Sequence, residues 1–574
     1  MIDYLVDATD THAHLFRVTL KLPRPATLQR VSLPVWIPGS YLVREFGRHL
    51  SRLQARQAAR ECRVEPLDKC SWAVHCEGAA ALRLEYEVYA FDTSVRSAFL
   101  DERRGFFNGT SLCLCAEGRE TEPHRLRIGA LPHGWQVATA MPATRHRHEY
   151  LCADYDELVD HPVELGRFWR GEFQVRGVAH EFVVAGAWPS FDGERLLADA
   201  RRICDKQIAF WHGRGKAPVQ RYVFLLNAVD EGYGGLEHRC STALISARRH
   251  LPRQGVAEAT DGYVTLLGLI SHEYFHTWNV KRMKPREFER IDFSRENYTR
   301  LLWFFEGFTS YYDDLLLLRA GLIDAPRYLR LLGRTLSGVL ATPGRKLQSV
   351  AEASFDAWVK YYRSDENTPN ATISYYAKGS LVALALDLSL RAADRGSLDE
   401  VMRLLWTRSA GGPIDEGDIA QALQQVGGRA MDAELAAWVH GVDELPLQPL
   451  LAQAGVRLQS EPGDLAAELG LRISEGALSG IHVKTVHRGG AAERAGLCAG
   501  DELLAVDGWR LRRLDDARGW LGAGQGFELT VVRDQRLLAL RVERDAPAPG
   551  ALQLKLADKP SAAAQVLRRG WIGV

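Results

Sequence analysis

The chain has 574 residues, of which 46% are hydrophobic and 25% charged, a globular composition with length for roughly three or four domains. Lys+Arg and Asp+Glu each number 72, so the formal net charge is zero and no global field favours nucleic acid or an anionic membrane. No apolar run is long enough to cross a bilayer, no signal peptide is evident, and nine scattered cysteines without a Cys-x-x-Cys pair read as free thiols in a reducing cytoplasm.

Residues 1–165 carry period-two patterns. Phe16, Val18, Leu20 and Leu22 alternate with Arg17, Thr19 and Lys21, and Leu82 to Ala90 repeats the pattern. Such alternation predicts strands with one buried face, and the region reads as a β-sandwich. Pro34, Pro38 and Gly39, in the stretch LPVWIPGSY, punctuate a loop or strand edge, and nothing in this region looks catalytic.

Residues 166–450 change in character. Glu172 to Gly186 suggests a hairpin, and Leu196, Leu197, Ala200, Ile203 and Cys204 follow helical spacing. An apolar strand from Tyr222 to Leu226 runs into Tyr233-Gly234-Gly235-Leu236-Glu237-His238. Two glycines before a carboxylate permit close backbone approach; on spacing alone the stretch is a plain turn with an exposed glutamate.

Gly262 to Asn279 follows, apolar on almost every side, as a buried helix would be. It contains His272-Glu273-x-x-His276. On a helix, i and i+4 share a face, so both imidazoles can reach one ion, and Glu273 sits beside them where it can act on a metal-bound water. Two imidazoles suit zinc, which at a catalytic site takes a third protein ligand and keeps one position open. Glu306 is the candidate, a lone carboxylate among Trp303, Phe304, Phe305 and Phe308 on an apolar segment running from about Asn297 to Arg319. A buried carboxylate there needs a partner.

Residues 321–445 read mainly helical and include Ile373-Ser374-Tyr375-Tyr376-Ala377-Lys378-Gly379 before another apolar segment. Pro446 and Pro449 mark a linker. Residues 455–546 return to short strands with Gly-rich turns, and the Ala- and Pro-rich residues 547–574 read as a loosely packed extension.

Taken together, His272-Glu273-x-x-His276, Trp303-x-x-Glu306-Gly307, Tyr233-Gly-Gly-x-Glu237 and Tyr376-x-Lys378-Gly379 resemble the gluzincin aminopeptidases. The LPVWIPGSY stretch and the C-terminal module resemble one branch of them, the glycyl aminopeptidase family (metallopeptidase family 61). The resemblance implies a multidomain α+β architecture: an N-terminal β domain over 1–165, a thermolysin-like, mainly helical catalytic domain over 166–450, a PDZ domain over 455–546, and the extension 547–574. It implies one Zn²⁺ held by His272, His276 and Glu306, with Glu273 as general base. It further implies that Tyr376 hydrogen-bonds the oxyanion, and that Glu237, preceded by Gly234 and Gly235, holds the free α-amine of a peptide. His238 stands where the larger aminopeptidase family has Asn.

By the same resemblance, Leu469-Gly470-Leu471 falls where a PDZ carboxylate-binding loop lies, the place for a C-terminal peptide; it departs from the usual Gly-Leu-Gly-Phe, which counts against peptide binding there. The expected activity is removal of small N-terminal residues, Gly or Ala, by a cytoplasmic enzyme with no nucleic-acid or membrane partner. The rival readings are an endopeptidase using the same zinc site and a non-catalytic PDZ adaptor that keeps the peptidase fold.

Overall fold

A computed structural model describes residues 1–522, 526–545 and 549–574; the expected domain boundary at 546–547 lies outside the described residues. The chain divides into two compact units, one of Met1–Tyr298 with Trp406–Ile414, the other of Thr299–Leu405 with Asp415–Val574. Among the described residues no helix is long and apolar enough to cross a membrane.

The first unit begins with three sheets around one core. A seven-stranded sheet runs Glu149–Cys152, His124–Ile128, Ile2–Asp10, Leu15–Leu22, Leu82–Tyr89, Leu50–Gln57 and Arg60–Cys62, and two four-stranded sheets accompany it. The alternation read from the sequence has its cause in this packing. Phe16, Val18, Leu20 and Leu22 are each at most 1% exposed, while their neighbours face outward, as a sheet with one wet face requires.

A five-stranded sheet follows, in the order Trp169–Val175, Val178–Ala185, Arg221–Val229, Ser241–Ala247, Tyr233–Glu237. Its first two strands form the expected hairpin, and the next two join in parallel. Tyr233–Glu237 is therefore an antiparallel edge strand and not the plain turn its spacing suggests. Glycines weaken a strand's own preference, but pairing with Ser241–Ala247 supplies the hydrogen bonds. The strand is anchored by Leu236, which enters the core of the N-terminal sheets. Because side chains alternate along a strand, Glu237 then faces the other way.

Beside this sheet lie the helices Gly193–His212 and Asp261–Phe275. The second begins at Thr260, whose hydroxyl accepts from the Tyr263 N–H at 3.1 Å, an N-cap that satisfies one orphan donor. Val264, Leu266, Leu267, Leu269 and Ile270 are all buried, which explains its near-continuous apolar run.

The second unit is helical up to the strand Val456–Pro462. The apolar segment around Glu306 is broken, with Leu302–Phe305 and Gly307–Arg319 as separate helices and Glu306 at the junction. Helix Tyr375–Ala392 crosses both at close range. A Cβ on Gly307 would stand 2.6 Å from the Gly379 Cα, and one on Gly379 would stand 2.6 Å from the Trp303 carbonyl oxygen. Only glycine permits that approach.

The PDZ region forms a sheet in the order Leu471–Gly476, Gly480–Val486, Glu502–Val506, Phe527–Arg533, Arg536–Val542 around its own core. Leu469 ends a short helix, Gly470 follows at φ +73°, and Leu471 opens the first strand.

The tail corrects the expectation of loose packing. Pro549–Leu556 pairs antiparallel with Val456–Pro462, and Ala562–Ile572 is a helix. Trp571 on it is 1% exposed, and its indole N–H donates to the Tyr311 hydroxyl at 3.1 Å. The Ala and Pro content masked two features that do the packing: the alternating Leu552, Leu554 and Leu556, and the terminal Trp571-Ile572 pair.

Candidate active site

In the first unit, His272 and His276 project from one helix face, their ring centroids 4.7 Å apart. His276 is buried, and its Nδ1 lies 2.7 Å from the Asn279 carbonyl oxygen. A carbonyl only accepts, so Nδ1 carries the proton and Nε2 keeps a lone pair for a ligand. The Asn279 partner is backbone, supplied by the turn that ends the helix. The next residue, Val280, has φ +118°, a strained value for a β-branched residue. From below, the Gln207 amide donates to the Ser271 carbonyl oxygen at 2.7 Å and to its hydroxyl at 3.0 Å, fixing the helix one residue before His272.

The edge strand passes alongside. A Cβ on Gly235 would stand 2.1 Å from a Glu273 carboxylate oxygen, so glycine is required for Glu273 to occupy its place. Gly234 precedes it, and Glu237 ends the strand, 4% exposed.

The loop LPVWIPGSY, read from sequence as remote from chemistry, meets Glu237 directly. A Cβ on Gly39 would lie 2.5 Å from either carboxylate oxygen of Glu237, and Gly39 has φ +93°. The only signal in sequence was the Pro-Gly pair, which says turn and names no partner. The loop is held by the Trp36 indole N–H, which donates to the Asp292 carbonyl oxygen at 2.9 Å.

Trp36, Gly39, Glu237, His238, Asp160 and Lys281 contribute to the walls of a cavity of about 40 Å³. Behind Glu237, buried Asp160 takes the Lys281 ammonium at 2.7 Å and the Arg239 N–H at 3.0 Å. Burial pushes the Asp160 pKa up, but the Lys281 and Arg239 charges outweigh it and hold the carboxyl well below its usual range. Burial lowers the pKa of His238, which Asp160 only partly offsets.

In the second unit, Glu306 is 2% exposed between Trp303, Phe304, Phe305 and Phe308, each fully buried. Tyr376 is the second residue of the crossing helix. The Tyr361 ring stacks on it at 5.4 Å, and the Tyr362 and Tyr376 hydroxyls are 3.4 Å apart. Burial, and after it the Glu306 charge, raises the Tyr376 pKa well above the usual phenol value. Its hydroxyl therefore stays protonated and able to donate. Tyr375, its neighbour, is fully buried, stacks on Tyr376 with ring centroids 4.8 Å apart and packs tilted against Tyr361 at 5.0 Å.

Among the described residues, His272, His276 and Glu306 are the one group of His, Cys, Asp or Glu side chains able to hold a metal ion. Two nitrogens and one oxygen are a donor set zinc accepts at catalytic sites.

Comparison with known proteins bears on the whole chain. Residues 3–167 match the Peptidase M61 N-terminal domain, residues 265–382 the M61 glycyl aminopeptidase model, and residues 482–533 a PDZ domain. No curated protein matches the chain. Among solved structures, an aminopeptidase N family protein from Idiomarina loihiensis is 36% identical over 100% of both chains, with a TM-score of 0.94. An M1 zinc metallopeptidase from Deinococcus radiodurans is 16% identical over 78% of this chain and 94% of its own, with a TM-score of 0.47, a weak similarity. Matched in both peptidase segments and similar along its full length to a solved relative, the chain belongs to the M61 glycyl aminopeptidase family and is a metallopeptidase.

Proposed function

We propose that the protein is a zinc aminopeptidase that hydrolyses the peptide bond after a small N-terminal residue, Gly or Ala. His272, His276 and Glu306 would hold the metal. A zinc ion there supplies a Lewis acid and brings the pKa of a bound water to about 7. Glu273 takes the proton of the attacking water and delivers it to the departing amine. Tyr376, held protonated, donates to the substrate carbonyl oxygen as charge builds on it. Glu237 pairs with the α-ammonium of the substrate, and its burial excludes an N-blocked peptide, whose amide cannot neutralise the carboxylate.

The observation that carries this reading is the pair of carboxylates on the edge strand's path. Glu273 lies against Gly235, and Glu237 stands two residues on, buried under Gly39. A carboxylate enclosed in that way serves a cation better than it serves solvent. The small cavity beside it favours short side chains.

We assign functional segments 1–165, 166–450, 455–546 and 547–574, in line with the family expectation. A PDZ domain is a module that takes extended peptides by strand addition, and a C-terminal peptide is the proposed ligand here. All nine cysteines are free, which suits a reducing cytoplasm.

The test compares a glycyl or alanyl anilide with its N-acetylated twin, each with and without a zinc chelator. Chelator-sensitive cleavage of the free-amine substrate alone is expected. Equal cleavage of the blocked twin would replace the aminopeptidase reading with an endopeptidase, and turnover that survives metal removal would end the zinc reading.

A further inference from the structure

Six residues before Tyr376, Asn370 sits on the helical turn Thr368–Ala371, 6% exposed. Its side chain faces the PDZ domain and is used at both ends. The amide N–H donates to the Val486 carbonyl oxygen at 2.8 Å, and the amide oxygen accepts from the Arg488 N–H at 2.8 Å. Reciprocal pairing of this kind needs one donor and one acceptor on the same short side chain, which an amide provides. Val486 ends the second PDZ strand. Between the two bonded residues, the His487 N–H donates to the Gly470 carbonyl oxygen at 2.7 Å, so Asn370 grips the corner beside the Leu469–Leu471 loop.

The chain from Asn370 to Tyr376 has little slack. The Thr372 hydroxyl bonds to the Gln348 side chain, and the Thr372 backbone packs on Gly344, where a Cβ would stand 2.3 Å from its carbonyl oxygen. The Ser374 hydroxyl then accepts from the Ala377 N–H at 3.2 Å, capping the helix that carries Tyr376.

The PDZ domain is itself braced. The Glu475 carboxylate accepts from the Leu514 N–H at 2.7 Å, and the Asp515 carboxylate from the Leu465 N–H at 2.9 Å. The strands that flank the domain pair with each other. The second of them is fixed to helix Ala325–Leu340 by the Leu552 N–H, which donates to the Ser337 hydroxyl at 2.8 Å.

We infer that Asn370 is a positioning residue through which the PDZ domain fixes the start of the Tyr376 helix, so that the domain acts within the chain as a brace on the reaction site. The inference rests on Tyr376 being the donor to the reacting carbonyl, as proposed above.

A double-mutant cycle on the full-length, metal-loaded enzyme tests it, using the glycyl anilide. Asn370→Ala is expected to lower kcat about tenfold with KM changed less than twofold. In the Tyr376→Phe background the same substitution is expected to leave kcat unchanged, since the group it positions is gone. Asn370→Asp, which keeps the bond from Arg488 and loses the one to Val486, runs the same cycle where Asn370→Ala fails to fold. An equal loss from the Asn370 substitution in both backgrounds would overturn the inference, making Asn370 a general structural contact. An unchanged kcat in the Asn370 single variants would overturn it as well. A Tyr376→Phe enzyme with normal kcat would instead remove the proposed role of Tyr376, and the brace with it.

Discussion

The two halves of the candidate site are built by different means. In the first unit, Glu273 and Glu237 are placed by backbone passing close to a carboxylate: Gly235 against one, Gly39 against the other. In the second, Glu306 and Tyr376 are placed by two helices crossing at Gly307 and Gly379, backbone on backbone. The difference teaches where each half is tolerant. A carboxylate at the end of a flexible side chain can swing away from an intruding methyl, at the cost of its position. Crossed backbones cannot swing, and the cost falls on packing.

Four substitutions sharpen or break that contrast. The largest effect is expected from Glu273→Gln, which should keep bound metal and lower kcat by about three orders of magnitude; near-normal turnover would remove Glu273 from the mechanism. Tyr376→Phe should lower kcat by about 10²- to 10³-fold, the ~2.7–4 kcal/mol typical of one oxyanion donor, with a smaller change in KM; an effect on KM alone would make it a binding residue. Gly235→Ala should leave the melting temperature nearly unchanged and lower kcat about 10²-fold, the scale of a 1 Å misplacement of a catalytic group. Gly307→Ala should do the reverse in kind, costing about 1–3 kcal/mol of stability measured by denaturant unfolding. If Gly235→Ala proves as destabilising as Gly307→Ala, the strand side is as rigid as the helix side and the contrast fails.

Legibility followed range along the chain. The helix with His272 and His276 was readable because period 3.6 and the i, i+4 spacing are local properties. The hairpin of Trp169–Val175 and Val178–Ala185 was readable for the same reason. The strand Tyr233–Glu237 was not, since its glycines weaken any local preference and its pairing partner decides it. The break at Glu306 was hidden inside one apolar run. The packed tail was hidden by composition, because Trp571 finds its partner Tyr311 260 positions away.

What the sequence by itself determined is the inventory and its local order: strands with one buried face, a buried helix presenting two imidazoles on one side, a carboxylate stranded among aromatics, and a C-terminal module of short strands. Periodicity and residue chemistry act over a few residues, and a single sequence displays them. Tertiary structure alone decided that Gly39 closes over Glu237, that Gly235 makes room for Glu273, that Gly307 and Gly379 let two helices touch, and that Asn370 holds the PDZ domain. Each of these is a contact between segments far apart in the chain, and its energy depends on the shape of both partners, which no local pattern encodes.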